Sequence, residues 1–208
     1  MHISTISRLY NRPADAYNGL IRKAIDDEDL VVRVYEPLRF AVVAETRKPG
    51  SGGKVLLEML PRLDTMKNVE VLKRNNLGAF QRYRESFLQR WPAFFESYLD
   101  SRKQLPPVSI AGLPFSGRFH FSVRTTDGVL EYVHVSASEC TLDMLTALRE
   151  LLAIIGCDRH KCERKQVVLL DLNKGAIHLP SRNFIQTRRK LESILRIGNL
   201  IEKEYRRS

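Results

Sequence analysis

Long apolar runs are absent from this chain. The longest, residues 151–155 and 167–170, fall far short of the roughly 20 apolar residues a membrane-spanning helix needs, so no membrane partner is expected. The opening MHISTISRLYNRP holds no sustained apolar stretch of the secretory kind. Cysteine is scarce as well: Cys140, Cys157 and Cys162 are odd in number and too few for a disulfide-stapled secreted domain. These absences favour a reducing, cytoplasmic setting.

Phosphate-loop signatures are missing too, although residues 47–54, RKPGSGGK, invite the comparison. A phosphate loop needs G-x-x-x-x-G-K-[ST], so that backbone N–H groups wrap the phosphates and a hydroxyl takes Mg²⁺. Counted back from Gly53-Lys54, the first glycine would fall at Lys48, and Val55 stands where the hydroxyl belongs. The stretch reads instead as a flexible hairpin connection, with Arg47, Lys48 and Lys54 as a basic tip able to touch a polyanion. No nucleophile signature or motif-bearing carboxylate pair occurs, so no catalytic residue can be named and no cofactor is expected.

What the chain does have is positive charge. Its net charge is +10, and residues 157–208 carry thirteen basic against six acidic side chains. Clustered charge of this kind gathers polyanions and steers them in. The 43% hydrophobic and 28% charged composition is otherwise that of an ordinary globular protein.

The pattern predicts an α+β fold: short antiparallel β-hairpins packed against helices, closed by a long basic C-terminal helix. Residues 1–102 read as an N-terminal α+β lobe, 103–117 as a Pro/Gly-rich connection, and 118–208 as a hairpin-helix-hairpin-helix lobe. Within the first lobe, residues 3–9, 30–35 and 38–44 read as strands, and 64–103 as helical with a break at Pro92. In the second, two alternating runs flank Asp127-Gly128, a dipeptide suited to a two-residue turn. A helix from Thr141 with a stop at Gly156, strands at 167–172 and 176–179, and a helix capped by Ser181 complete the reading.

Four groups of side chains are candidates for function. With a two-residue turn, Arg124 faces Glu131 and Phe121 faces His134, so His120 and His134 point to opposite faces and form no acid–base dyad. His120 then joins Arg118 and Arg124 on a polar face open to phosphates. The terminal helix offers Arg182, Arg188, Arg189, Lys190 and Arg196 for the same purpose. The aromatic stretch 77–99 reads as a helix whose Phe87, Trp91, Phe94 and Phe95 form core or a partner surface. Cys157, His160 and Cys162 are weak zinc candidates, because C-x₂-H-x-C lacks the second half of a finger.

The function expected from these observations is a non-catalytic nucleic-acid-binding module, DNA or RNA, contacting phosphates through the basic C-terminal region. The alternative is a protein–protein adaptor or self-associating subunit built on the aromatic segment. A nuclease-like enzyme without a recognisable motif comes third.

Overall fold

The computed structural model describes residues 1–26, 34–88, 93–99, 106–181 and 184–207. Its strands are β1 (Ala93–Tyr98), β2 (Val108–Ile110), β3 (Leu113–Phe115), β4 (Phe121–Thr125), β5 (Leu130–Ser136), β6 (Val167–Asp171) and β7 (Ala176–His178). Its α-helices are α1 (Ile3–Leu9), α2 (Tyr17–Asp26), α3 (Glu36–Arg47), α4 (Gly52–Met59), α5 (Val69–Tyr83), α6 (Leu142–Arg159) and α7 (Ile185–Tyr205). The fold is mixed α+β, as the sequence pattern predicts.

Five strands form one sheet in the order β1-β4-β5-β6-β7, and β2 pairs with β3 separately. All neighbours in the large sheet run antiparallel except β5 and β6, which are parallel and joined through α6. A parallel pair needs such a crossover, which covers one face of the sheet. Strand β6, VVLLD, is buried on both faces. Val167 and Leu169 enter one core with α1, α2, α6 and α7, and Val168 and Leu170 enter another with α3, α4 and α5. The sheet is thus the middle of three layers.

Two segments read as strands are helices. In α1, Ile3, Ile6 and Leu9 are buried at helical spacing, and the His2 side chain caps the first turn by accepting the Ser4 N–H. In α3, Pro37 sits in the first turn, where a missing N–H is harmless. Leu38, Ala41, Val42 and Glu45 then form one buried stripe. A short apolar run does not separate strand from helix by periodicity alone. The strand read at 30–35 lies almost wholly outside the described residues.

The aromatic segment 77–99 departs from its expected single helix. Helix α5 ends at Tyr83 and passes into a π-helical turn, Arg84–Leu88, and residues 93–98 are the edge strand β1. Its period is therefore two: Phe94 is 68% exposed while Phe95 packs toward the core. Phe87 is buried beside Tyr83, with ring centroids 5.8 Å apart. Trp91 lies outside the described residues.

The β4–β5 hairpin exists, but its register is shifted by one from the expected one. Phe121 faces Val133 and Arg124 faces Leu130, because Thr125 and Val129 close a three-residue loop. Gly128 takes the left-handed position with φ 81°, the arrangement of a three-residue loop with a glycine bulge. A one-residue shift moves side chains between faces, and the consequence falls on the histidines.

Candidate anion-binding site

With the shifted register, His120 and His134 lie side by side, ring centroids 4.8 Å apart. This corrects the expectation that they point to opposite faces. Both rings are oriented by backbone. The Val135 N–H donates to His120 Nδ1 at 2.9 Å, so the proton of the neutral His120 ring sits on Nε2. His134 Nδ1 lies 2.7 Å from the Arg118 carbonyl, which can only accept, so the His134 proton is on Nδ1 and its Nε2 carries a lone pair.

These rings line a cavity of about 160 Å³, together with His2, Arg39, Arg118 and Ser136. It lies where the chain leaves the carboxyl end of β5, beside the parallel pair. Open sheets with parallel strands bind ligands beyond such strand ends. Four separate elements deliver its groups: the capped start of α1 brings His2, α3 brings Arg39, the segment entering β4 brings Arg118 and His120, and β5 brings His134 and Ser136. Met144 and Leu148 of α6 supply apolar wall, and Glu202 and Arg206 of α7 border it.

The charges acting on the histidines are uniform in sign. Burial, then the neighbouring Arg118 and Arg39 charges, holds the His2 imidazolium down to about 4. His134 is lowered to about 3 by burial, against the opposing effect of its bond to the Arg118 carbonyl. His120 is pushed well below its ordinary value by burial first and Arg39 second. Arg39 is itself lowered to about 10 by burial and by Arg118, with Glu36 acting the other way, and stays charged at neutral pH. Glu202 is engaged elsewhere, 3.0 Å from the Met1 amino group and 3.1 Å from Arg206. Among the described residues, no carboxylate pairs with Arg39 or Arg118 within 4.0 Å. Cys140 also lines the cavity, but burial raises its thiol, which argues against a nucleophile.

The remaining candidates are dispersed. Arg124 is exposed at the hairpin end, bound to Glu96 at 2.6 Å and to the Gly128 carbonyl at 2.9 Å. On α7, Arg188 lies 3.9 Å from Glu192. Lys190 donates to Asn11 Oδ1 and sits over the Tyr10 ring. Arg189 and Arg196 are exposed. So are Lys203 and Arg207, which the sequence also places on the outward basic face of this helix. At 100° per residue, Arg189, Arg196 and Lys203 fall within about 40° of one another around the axis and extend over about 21 Å, and Arg207 follows just past the end of the helix. Arg182 lies outside the described residues.

The glycine-rich stretch 47–54 joins α3 to α4 rather than two strands, and its amides are occupied. The buried Glu45 carboxylate accepts from Gly50 N–H at 3.0 Å and Gly52 N–H at 2.7 Å, with Arg84 at 3.4 Å. The loop cradles an anion, and that anion belongs to the protein. Arg47, Lys48 and Lys54 are exposed there, on helices of the sheet face opposite α7.

Cys157, His160 and Cys162 do not converge. His160 packs between Phe119 and Tyr132, with centroids at 5.5 and 5.0 Å. Cys162 is buried, its thiol raised to about 11 by burial and then by Cys157. Among the described residues, no cluster of three His, Cys, Asp or Glu side chains is placed to hold a metal ion. No helix among them is long and apolar enough to cross a membrane.

Sequence reasoning found Arg118 and His120 but missed His2, Arg39 and His134 as their companions. The signal for the histidine pair was one residue of loop length. No protein-family model matches the chain, and comparison with curated proteins finds no relative.

Proposed function

We propose that the chain is a nucleic-acid-binding module that contacts phosphates through α7. The observation that carries this reading is the exposed row Arg189, Arg196, Lys203 and Arg207, none with a carboxylate partner among the described residues. Helix α7 holds five basic and three acidic side chains. Its net charge is therefore modest, and what matters is which charges are free. Arg188, Lys190 and Arg206 are engaged internally, whereas the free cations share one stripe.

Exposed Ile185, Ile197 and Leu200 lie on or beside that stripe, offering apolar contact between phosphate anchors. Each Lys or Arg that neutralises a phosphate releases counterions, so affinity falls steeply with salt. The test is fluorescence anisotropy with labelled single- and double-stranded DNA and RNA from 50 to 300 mM salt. Four phosphate contacts predict a log–log slope of about −3 to −4 on duplex DNA. No binding at low salt, or a flat response, sinks the proposal.

A second reading, self-association or a protein partner, is favoured by one observation: Phe94 is 68% exposed on the edge strand β1. Unpaired strand edges are templates for pairing with another chain. Light scattering of the wild type and Phe94→Ser separates the two readings. A monomer unchanged by the substitution removes self-association.

A further inference from the structure

The cavity beside β5 holds an arrangement that protein stability alone does not reward. Arg39 and Arg118 both line this cavity, and each acts on the three histidines as a like charge. Glu36, whose charge acts on Arg39, lies 3.8 Å from Arg62, and Glu202, at the cavity border, is held by the Met1 amine and Arg206. His120 is 9% exposed, and its Nε2 has no hydrogen-bond partner. With Nδ1 accepting from Val135, that Nε2 is a buried N–H donor with no acceptor. Buried polar groups are normally paired, and an orphan donor marks a place where something else binds.

We infer that this cavity takes a terminal phosphate group, a phosphomonoester. The inference rests on the nucleic-acid reading only for the source of that group, not for its chemistry. Size supports a small head group. The cavity's volume of about 160 Å³ is enough for a phosphate group with part of its hydration. Donor number supports phosphate over carboxylate. Two guanidiniums and the His120 Nε2–H supply more N–H groups than two carboxylate oxygens can use. The complementary His134 Nε2 lone pair can accept the proton of a singly ionised phosphomonoester. A phosphomonoester offers three terminal oxygens to these donors and an internal phosphodiester only two, so on a nucleic acid the group is a strand end.

The test compares one eight-nucleotide strand carrying a 5′-phosphate, a 3′-phosphate or hydroxyl ends only, at fixed ionic strength. Inorganic phosphate and phosphoserine serve as small probes in thermal-shift and calorimetric titrations. One phosphorylated end is expected to bind about tenfold more tightly than the hydroxyl form, a typical gain for a charge-assisted pair. In Arg118→Gln and in His120→Phe that ratio should fall to near one, with circular dichroism confirming that each variant is folded. Arg196→Gln, on the stripe, should weaken all strands together and keep the ratio.

If all strands bind equally and inorganic phosphate raises no melting temperature, the cavity proposal is overturned while the α7 reading stands. If no strand binds but the small probes stabilise the wild type and not Arg118→Gln, the cavity proposal holds with a small phosphomonoester as its ligand. In that case the nucleic-acid reading fails.

Discussion

Lowering the pH from 7 to 5 should destabilise this protein by about 2 kcal/mol through His134, with His120 adding in the same direction. Both are buried and neutral in the fold, their affinity for protons depressed by burial. The unfolded chain takes up a proton at each near pH 6.5, whereas folded His134 does so only near 3. Between those values the unfolded state binds more protons, so stability rises with pH and falls on acidification. At pH 5, one and a half units below the unfolded value, His134 removes about 2 kcal/mol at about 1.4 kcal/mol per unit, and His120, also lowered by burial, acts with the same sign. Against a total of roughly 5–15 kcal/mol for a folded domain, a loss of about 2 kcal/mol or more is readily seen. His2 and His178, lowered mainly by burial, add in the same direction. Urea melts followed by circular dichroism at pH 7, 6 and 5 measure the effect. The double substitution H120Q/H134Q should lower stability at pH 7 yet flatten the pH dependence. A wild type equally stable at pH 7 and 5, within about 1 kcal/mol, would refute the claim that these rings are buried and neutral.

Other outcomes follow from the packing. Replacing Glu45 by Gln leaves the Gly50 and Gly52 amides with a weaker acceptor and Arg84 without its partner. A loss of about 1–3 kcal/mol is expected in chemical denaturation. Gly52→Ala would place a methyl group 2.5 Å from the Ala41 carbonyl oxygen and 2.7 Å from the Phe80 ring. It should destabilise by about 1–3 kcal/mol through overpacking, whereas Gly53→Ala, with nothing closer than 3.9 Å, should be tolerated in the same melts. Arg164 binds the buried Glu150 through both guanidinium nitrogens at 3.0 and 2.6 Å. Arg164→Ala would strand that carboxylate, at about 3–5 kcal/mol, read as a lowered melting temperature. On the binding side, R189Q/R196Q should reduce the duplex salt slope by about 2 without altering the melting temperature by more than a degree or two.

The second half of the chain was the more legible in sequence, and the reasons are physical. Alternation in the two strands of the 118–136 hairpin, the Leu-rich stripe of α6 and the apolar run 167–170 of β6 each match a single pattern. Thr141 marked the start of α6 correctly, accepting the Met144 N–H. The first half was harder because its elements are short and apolar on more than one side. Residues 38–44 satisfy a strand pattern, yet Pro37 and the spacing of Leu38, Ala41, Val42 and Glu45 also fit a helix, which packing against α4 and α5 selects. The aromatic stretch hid a change of period from helix to strand near Pro92, in a region where every large side chain fits either pattern. The site was obscured by a finer detail. Asp-Gly is compatible with both a two- and a three-residue loop, and the choice between them decides whether two histidines meet. Arg39 and His2 are far from that hairpin in sequence, and only the three-layer packing brings them to it.

The most direct measurement of the central claim is a footprint of a hydroxyl-ended oligonucleotide on the protein, by amide chemical-shift mapping at low salt. The account predicts perturbations along α7 at Arg189, Arg196, Lys203 and Arg207, weakening together as salt is raised. Perturbations confined to residues 47–54 on the opposite face of the sheet, or none at all under saturating oligonucleotide, would contradict it.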